Sequence, residues 1–336
     1  MKIIVPISNH QEVEMLVQNG ADEFFCGFVP EEWLNRYGGL FWLNRRGPVS
    51  GNITDYDELE KLCREKDKFN IPVFITFNAP YYTDEQIVFI VKLIKELKET
   101  FNIDGVIVSD LGLIEAINSE IKNIRIHASS LMGIKNSYFA DYLRAKGVNR
   151  VILPRGLTVE QVLTLRKSIV KSEIEVFILN EGCVFDECHC NTSHKTFGAF
   201  CNYLRNKTFK LEQRSGVLEG KENFQKKIDK LLSDYMEWVY YVNGCDNTLN
   251  EKGIPNGLCG LCYLKIFFDA GIDCVKIPGR SMSSFKKLIS LQLVKALLDG
   301  IEQNKINESN ISSHAKELRG FSEGCRKKIM CYYTYE

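Results

Sequence analysis

The chain has 336 residues, with 43 lysines and arginines against 43 aspartates and glutamates. That length can bury one large core or two modest ones, and the composition is that of an ordinary globular protein. Balanced charge excludes a global field that would draw the protein to nucleic acid or membrane, and leaves open only a local basic groove.

The first residues, MKIIVPISNHQEVEML, carry a short apolar run broken by Pro6 and lack the apolar core of a signal peptide. No stretch nears the roughly 18 apolar residues that span a bilayer. The expected location is the cytoplasm, with no membrane association. Stable disulfides are unusual there, so twelve cysteines point to metal binding or redox chemistry. Cys26, Cys63 and Cys274 read instead as small buried hydrophobes.

Strand and helix alternate from residue 2 to about residue 180. Residues 2–7 form a strand, 9–19 a helix closed by Gly20, and 22–28 a second strand. A longer connection leads to a helix over 55–68. The run IPVFITFN at 71–78 is β-branched and aromatic throughout, as a strand buried on both faces requires. Thr83 caps the next helix, with Gln86 completing a capping-box pattern. Strands at 104–109, 124–128, 150–154 and 173–179 follow, separated by helices at 113–121, 137–146 and 158–170. A helix over 258–270, a strand at 273–277 and a long amphipathic helix at 284–301 complete the repeat.

Eight strands alternating with helices predict a (β/α)8 TIM-like barrel with a cysteine-containing insertion at 184–257, between strands seven and eight. The insertion is basic and polar around Arg205–Lys227, with a helix near 224–239. The barrel takes residues 1–303, and 304–336 is a polar C-terminal tail with two cysteines. An open doubly wound sheet is the alternative, but no Gly-rich phosphate loop follows the first strand.

Such barrels place their active sites at the C-terminal strand ends. Those ends carry Cys26, Gly27, Asn78, Ser109, Asp110, His127, Ser129, Ser130, Arg155, Asn180, Glu181, Cys183, Lys276, Gly279 and Arg280, with Asn44, Arg45 and Arg46 in the loop after strand two. A mouth this rich in arginine suits an anionic small molecule, because guanidinium forks match carboxylate and phosphate. Each residue also has a plainer reading: Asp110 as a helix cap, His127 as a supporting residue, Arg155 as a surface group.

Cys183, Cys188, Cys190 and Cys201 follow strand seven, while Cys245, Cys259 and Cys262 precede strand eight. Strands seven and eight are neighbours in the barrel, and Cys259-x-x-Cys262 has metal-ligand spacing. Thiolates select iron–sulfur clusters or structural zinc. The preferred reading is a four-thiolate [4Fe–4S] site drawn from both groups, with zinc as the alternative.

The segments GADEFFCGF, LNRRG, VFITFNAPYYTDEQ, IHASSLMGIKNSYFADYLRAKGVNRVILPRGLT, EVFILNEGC and LCYLKIFFDAGIDCVKIPGR resemble the collagenase-like peptidases of peptidase family U32 over about residues 1–290. The resemblance implies a barrel holding a [4Fe–4S] cluster on Cys183, Cys190, Cys201 and Cys259. It also implies kinship with oxygen-independent hydroxylation factors acting on RNA or on the ubiquinone ring. Asp110, His127, Arg155 and Arg280 fall on the family's recurring polar positions. The chain departs from the pattern at Asn180-Glu181-Gly182, at Ser130-Leu131 and at Pro278, all around the substrate pocket that the resemblance implies. Cys188 is an additional cysteine, and Cys245, Cys262, Cys325 and Cys331 are candidates for a second metal site.

Three functions follow as expectations. The first is an iron–sulfur hydroxylase acting on a small molecule, RNA or peptide. In it Arg155 and Arg280 hold the carboxylates of an oxygen donor, His127 or Asp110 moves protons, and Glu181 shapes specificity. The second is a peptidase, for which no nucleophile–base pair or HExxH motif is visible. The third is a non-catalytic assembly factor with a partner protein.

Overall fold

The computed structural model describes residues 1–38, 42–46, 51–190, 221–242, 248–320 and 323–333. Eight parallel strands close into a barrel: β1 (Lys2–Pro6), β2 (Glu23–Cys26), β3 (Val73–Phe77), β4 (Gly105–Val108), β5 (Arg125–Ala128), β6 (Arg150–Ile152), β7 (Glu173–Phe177) and β10 (Cys274–Lys276). Each pairs with the next in sequence, and β10 closes the ring between β7 and β1, with Lys276 opposite Phe177 and Ile3 opposite Val275. All eight strands stand where the sequence places them. The apolar runs explain this: every residue of β3 is buried, as both faces of a barrel strand must be.

The helices fill the outer ring. They are α1 (Glu12–Gln18), α2 (Glu31–Tyr37), α3 (Tyr56–Lys68), α4 (Asp84–Phe101), α5 (Leu111–Glu120), α6 (Ser137–Ala145), α7 (Val159–Ser168), α9 (Leu264–Asp269) and α10 (Ser284–Glu302). Short polar residues start most of them. Thr83 accepts from the backbone N–H of Gln86, and the Gln86 side chain answers to the Thr83 N–H at 2.9 Å. Replacing Thr83 by alanine should cost about 1 kcal/mol of unfolding free energy by urea titration. No change would show that packing alone sets the start of α4.

Several elements differ from the sequence reading, among them α2 in the connection after β2 and two helices in the C-terminal tail. The helix expected over 258–270 begins instead as a short strand, β9 (Leu258–Cys259), which pairs antiparallel with β8 (Leu179–Asn180). A 3₁₀ turn over Leu261–Tyr263 then leads into α9. Helical spacing of apolar residues conceals this, because Gly260 and the pairing with β8 override local propensity. The insertion contributes α8 (Lys221–Val242), and the C-terminal segment forms α11 (Ile311–Leu318) and α12 (Glu323–Arg326). That segment returns to the barrel: the backbones of Cys259 and Cys331 pair as an isolated parallel β-bridge, both thiols being free, and Tyr333 donates to the carbonyl of Phe177. No helix among the described residues is long and apolar enough to cross a membrane.

The barrel interior is layered. Side chains two apart on a strand share a face, so Glu23, Phe74, His127, Arg150 and Glu175 lie one layer beneath Phe25, Thr76, Ser129, Ile152 and Phe177. The lower layer is charged. Arg150 is fully buried and reaches Glu23 at 2.5 and 2.9 Å and Glu175 at 3.0 Å. Lys276 holds the other oxygen of Glu175 at 2.7 Å.

Candidate functional site

A cavity of about 120 Å³ opens at the C-terminal ends of the strands. Its floor is the upper interior layer, Phe25, Thr76, Ile107, Ile152, Phe177 and Lys276. Its wall comes from the loops that follow the strands: Arg45, Arg46, Asn78, Ser129, Arg155, Glu181, Cys183 and Arg280. The volume is that of about four waters. It has room for a small carboxylate or the edge of a base.

Arg280 is the most deeply set cation of the wall. It donates to Oδ1 of Asn52 at 2.9 Å, to Oγ1 of Thr76 at 2.8 Å and to Oδ1 of Asn44 at 3.0 Å. These hydrogen-bond partners are all neutral. Burial, and then the charge of Arg46, pushes its pKa down to about 9, yet at neutral pH the guanidinium stays charged. The side chain needs room at Gly27, where a Cβ would stand 1.8 Å from Nη1 of Arg280. A glycine at the end of β2 is therefore required by close approach rather than by a turn.

Arg155 is built differently. Its guanidinium lies 3.6 Å from the ring centroid of Phe177, pairs with Glu187, and donates to the Glu181 carbonyl at 3.1 Å. Burial alone would lower its pKa, but the Glu187 carboxylate outweighs that and raises it. Arg46 pairs with Glu181, and Arg45 donates to the carbonyl of Cys190 at 2.9 Å and, from its backbone, to Asn78 at 3.0 Å. The loop after β2 is thus tied to the cysteine-bearing loop after β7 across the cavity.

Of the five residues expected to act in catalysis, three line the cavity: Arg155, Glu181 and Arg280. Asp110 does not. It is the N-cap of α5, accepting from Leu113 at 2.7 Å and from the Tyr82 N–H at 3.3 Å. His127 lies in the layer below, fully buried, its ring 4.0 Å from that of Phe74. Neither ring nitrogen has a hydrogen-bond partner. Burial, then the charges of Arg150, Arg125 and Lys276, holds its pKa well below the usual 6.5. Both positions follow from strand alternation and capping, and neither group reaches the cavity. Cys26 is buried, Ser109 bonds the Ala79 carbonyl, and Asn180 turns away to Ser290 at 3.0 Å.

The sequence reading missed Glu187, Thr76, Phe177 and the lower charged layer. Glu187 is one acidic residue in a cysteine-rich loop, and nothing local assigns it to Arg155. The lower layer did leave a signal, in charged residues at alternate positions of apolar strands, as in EIEVF at 173–177.

Several of the described cysteines outside the barrel strands border cavities. Cys183 borders the cavity; burial, then Glu187, pushes its thiol up to about 11. Cys188 donates to Asp186, which also holds Lys135, and His189 completes a group whose ligand atoms lie within 4.8 Å of one another. Cys201 and Cys245 lie outside the described residues. Cys259 lines a cavity with Cys262, Cys325 and Cys331, and Cys331 also lines a second cavity that includes Cys183.

The profile of peptidase family U32 matches residues 8–334. An uncharacterized protease of Methanocaldococcus jannaschii is 28% identical over 60% of this chain and 46% of its own length. A 23S rRNA 5-hydroxycytidine synthase of Escherichia coli is 28% identical over 47% of this chain and 23% of its own. The tRNA hydroxylation protein P2 of Bacillus subtilis is 22% identical over 83% of this chain and 79% of its own. The chain spans about half the length of the first of these and about a quarter of the second. A closed barrel, an arginine-lined mouth and a profile match over nearly every residue agree: the chain belongs to peptidase family U32.

Proposed function

We propose that the chain is an RNA-modifying enzyme of the hydroxylating kind, with its reaction centred at the barrel mouth. The observation that carries this is Arg280, a buried guanidinium whose hydrogen-bond partners are all neutral, facing a cavity also lined by Arg45, Arg46, Arg155 and Lys276. A buried charge is stable only when compensated, and an incoming carboxylate or phosphate supplies that compensation. The names of the RNA-hydroxylating relatives support RNA as the substrate class.

In this reading Arg280 and Arg155 orient a small oxygen donor through its carboxylate, and Phe25 and Phe177 keep water from the floor. Asn78 and Ser129, 3.4 Å apart, present hydrogen-bonding groups to the edge of the substrate. Replacing a C–H bond by C–OH transfers one oxygen atom from the donor. Iron–sulfur dependence belongs to the same proposal, the cluster supplying the redox chemistry that such a transfer requires.

A peptidase is the weaker reading. Among the described residues no serine or cysteine lining the cavity is hydrogen-bonded to a histidine, and His127 is sealed beneath it.

Nucleoside mass spectrometry of total RNA, from cells with and without the gene, tests the proposal. The expected result is loss of a nucleoside one oxygen heavier than its parent. Complementation with Arg280→Gln should lower its level by roughly 10- to 100-fold, the worth of a charge-assisted hydrogen bond. Identical nucleoside profiles with and without the gene would overturn it.

A further inference from the structure

Four cysteines converge beside the barrel around one cavity, and one of them, Cys331, also lines a cavity shared with Arg155, Cys183 and Glu187 of the mouth. Cys259 ends β9, and Cys262 lies in the 3₁₀ turn that follows it. Cys325 belongs to α12 and Cys331 to the closing segment. The backbone itself brings the two halves together. Cys259 donates to the Met330 carbonyl at 2.6 Å, and Tyr332 donates to the Cys259 carbonyl at 3.0 Å. All four line one cavity of about 380 Å³.

We propose that Cys259, Cys262, Cys325 and Cys331 hold an iron–sulfur cluster that clamps the C-terminal segment onto the barrel. The inference rests on the proposed iron–sulfur chemistry for the kind of metal, but the ligand set comes from the geometry alone. Cys259-x-x-Cys262 across a tight turn is a chelating pair, and the bridge from Cys259 to Cys331 sets the second pair opposite it.

Thiol spacing favours a cluster over zinc. Zinc–sulfur bonds of about 2.3 Å place tetrahedral thiolates roughly 3.8 Å apart. Among the described residues no three of these thiols come within 4.8 Å of one another. The larger cubane, with its ligands on four separate irons, suits thiols held further apart. Four thiolates also bring negative charge, and the surroundings answer it: Lys316 and Lys328 line the cavity, and Arg319 acts on Cys259 and Cys325.

The clamp reaches the mouth. Tyr332, next to Cys331, donates to the carbonyl of Glu181, whose carboxylate pairs with Arg46 in the cavity wall.

The test is iron and acid-labile sulfide analysis with EPR on the full chain purified without oxygen. It compares wild type, Cys325→Ser/Cys331→Ser and Cys183→Ser/Cys190→Ser. The first variant should lose about four irons and their sulfide per chain, and protease should newly cut its C-terminal segment. The second variant should keep that cluster. Unchanged iron in the first variant, zinc in place of iron in the wild type, or a disulfide among the four would overturn the proposal.

If the first variant fails to fold, thiol alkylation of the wild type decides. Cys259, Cys262, Cys325 and Cys331 should be protected as purified and labelled only after the iron is stripped. Labelling before stripping would sink the idea. A cluster on these four residues with no effect of the gene on RNA would leave this inference standing and remove the hydroxylation reading.

Discussion

Arg150→Met should lower the unfolding free energy by about 3–5 kcal/mol in urea titrations at neutral pH, the cost of breaking a buried ion pair from one side. Arg150 is fully buried, as are the side chains of Glu23 and Glu175 that it joins. Removing it leaves two carboxylates in the barrel interior with only Lys2 and Lys276 to offset them. Removing Glu23 together with Arg150 should recover part of the loss, because Glu175 still pairs with Lys276 and the penalty comes from the stranded charge. A loss below about 1 kcal/mol for the single variant would mean that water enters this layer.

A second large effect should come from His127 as pH falls. The folded state holds this ring neutral, its pKa well below 6.5, because it is buried and faces Arg150, Arg125, Lys276 and Lys2. The unfolded chain takes up a proton near pH 6.5 and the folded chain does not. Below that pH the unfolded state therefore binds more protons, and stability falls by about 1.4 kcal/mol per pH unit. Between pH 6.5 and 5 the loss should reach roughly 2 kcal/mol. His127→Gln, which cannot titrate, should be less stable at pH 7 but should lack this slope. Parallel stability curves for the two proteins over that window would show that the ring charges without penalty. Staying above pH 5 keeps Glu23 out of the comparison: its folded pKa lies below 4.5, where burial raises it but Arg150 lowers it further. Its own contribution is lost only as pH falls through that lower range.

The two effects share a cause. The strands of a barrel bury both faces, and stacked layers of inward-pointing side chains must fill the interior. Here one layer is filled by charge, directly beneath the cavity. Lys276 belongs to both levels, lining the mouth while holding Glu175. A ligand at the mouth and the ion network below it are therefore joined through a single ammonium group.

Much of this was legible in the linear sequence, for simple reasons. Barrel strands buried on both faces are near-continuous apolar runs, and Val73–Phe77 could be little else. Capping residues announce helix starts locally, as Thr83 with Gln86 and Thr158 with Gln161 do. The rule that strand ends carry the site picked out Arg155, Glu181 and Arg280 without any contact being known.

What tertiary structure alone decided has equally physical causes. Whether a polar residue near a strand end reaches the mouth depends on alternation and register, and one step along β5 separates the layer of His127 from that of Ser129. Asp110 has the right address but spends its carboxylate on the start of α5. Glu187 became the partner of Arg155 only when its loop folded back over β6. Cysteine partners depend on which distant segments meet, and no spacing rule foretells that the last turn of chain would lie beside β9. Cys259, Cys262, Cys325 and Cys331 were all candidate ligands in the linear sequence. Only the return of the C-terminal segment set Cys325 and Cys331 around the same cavity as Cys259 and Cys262.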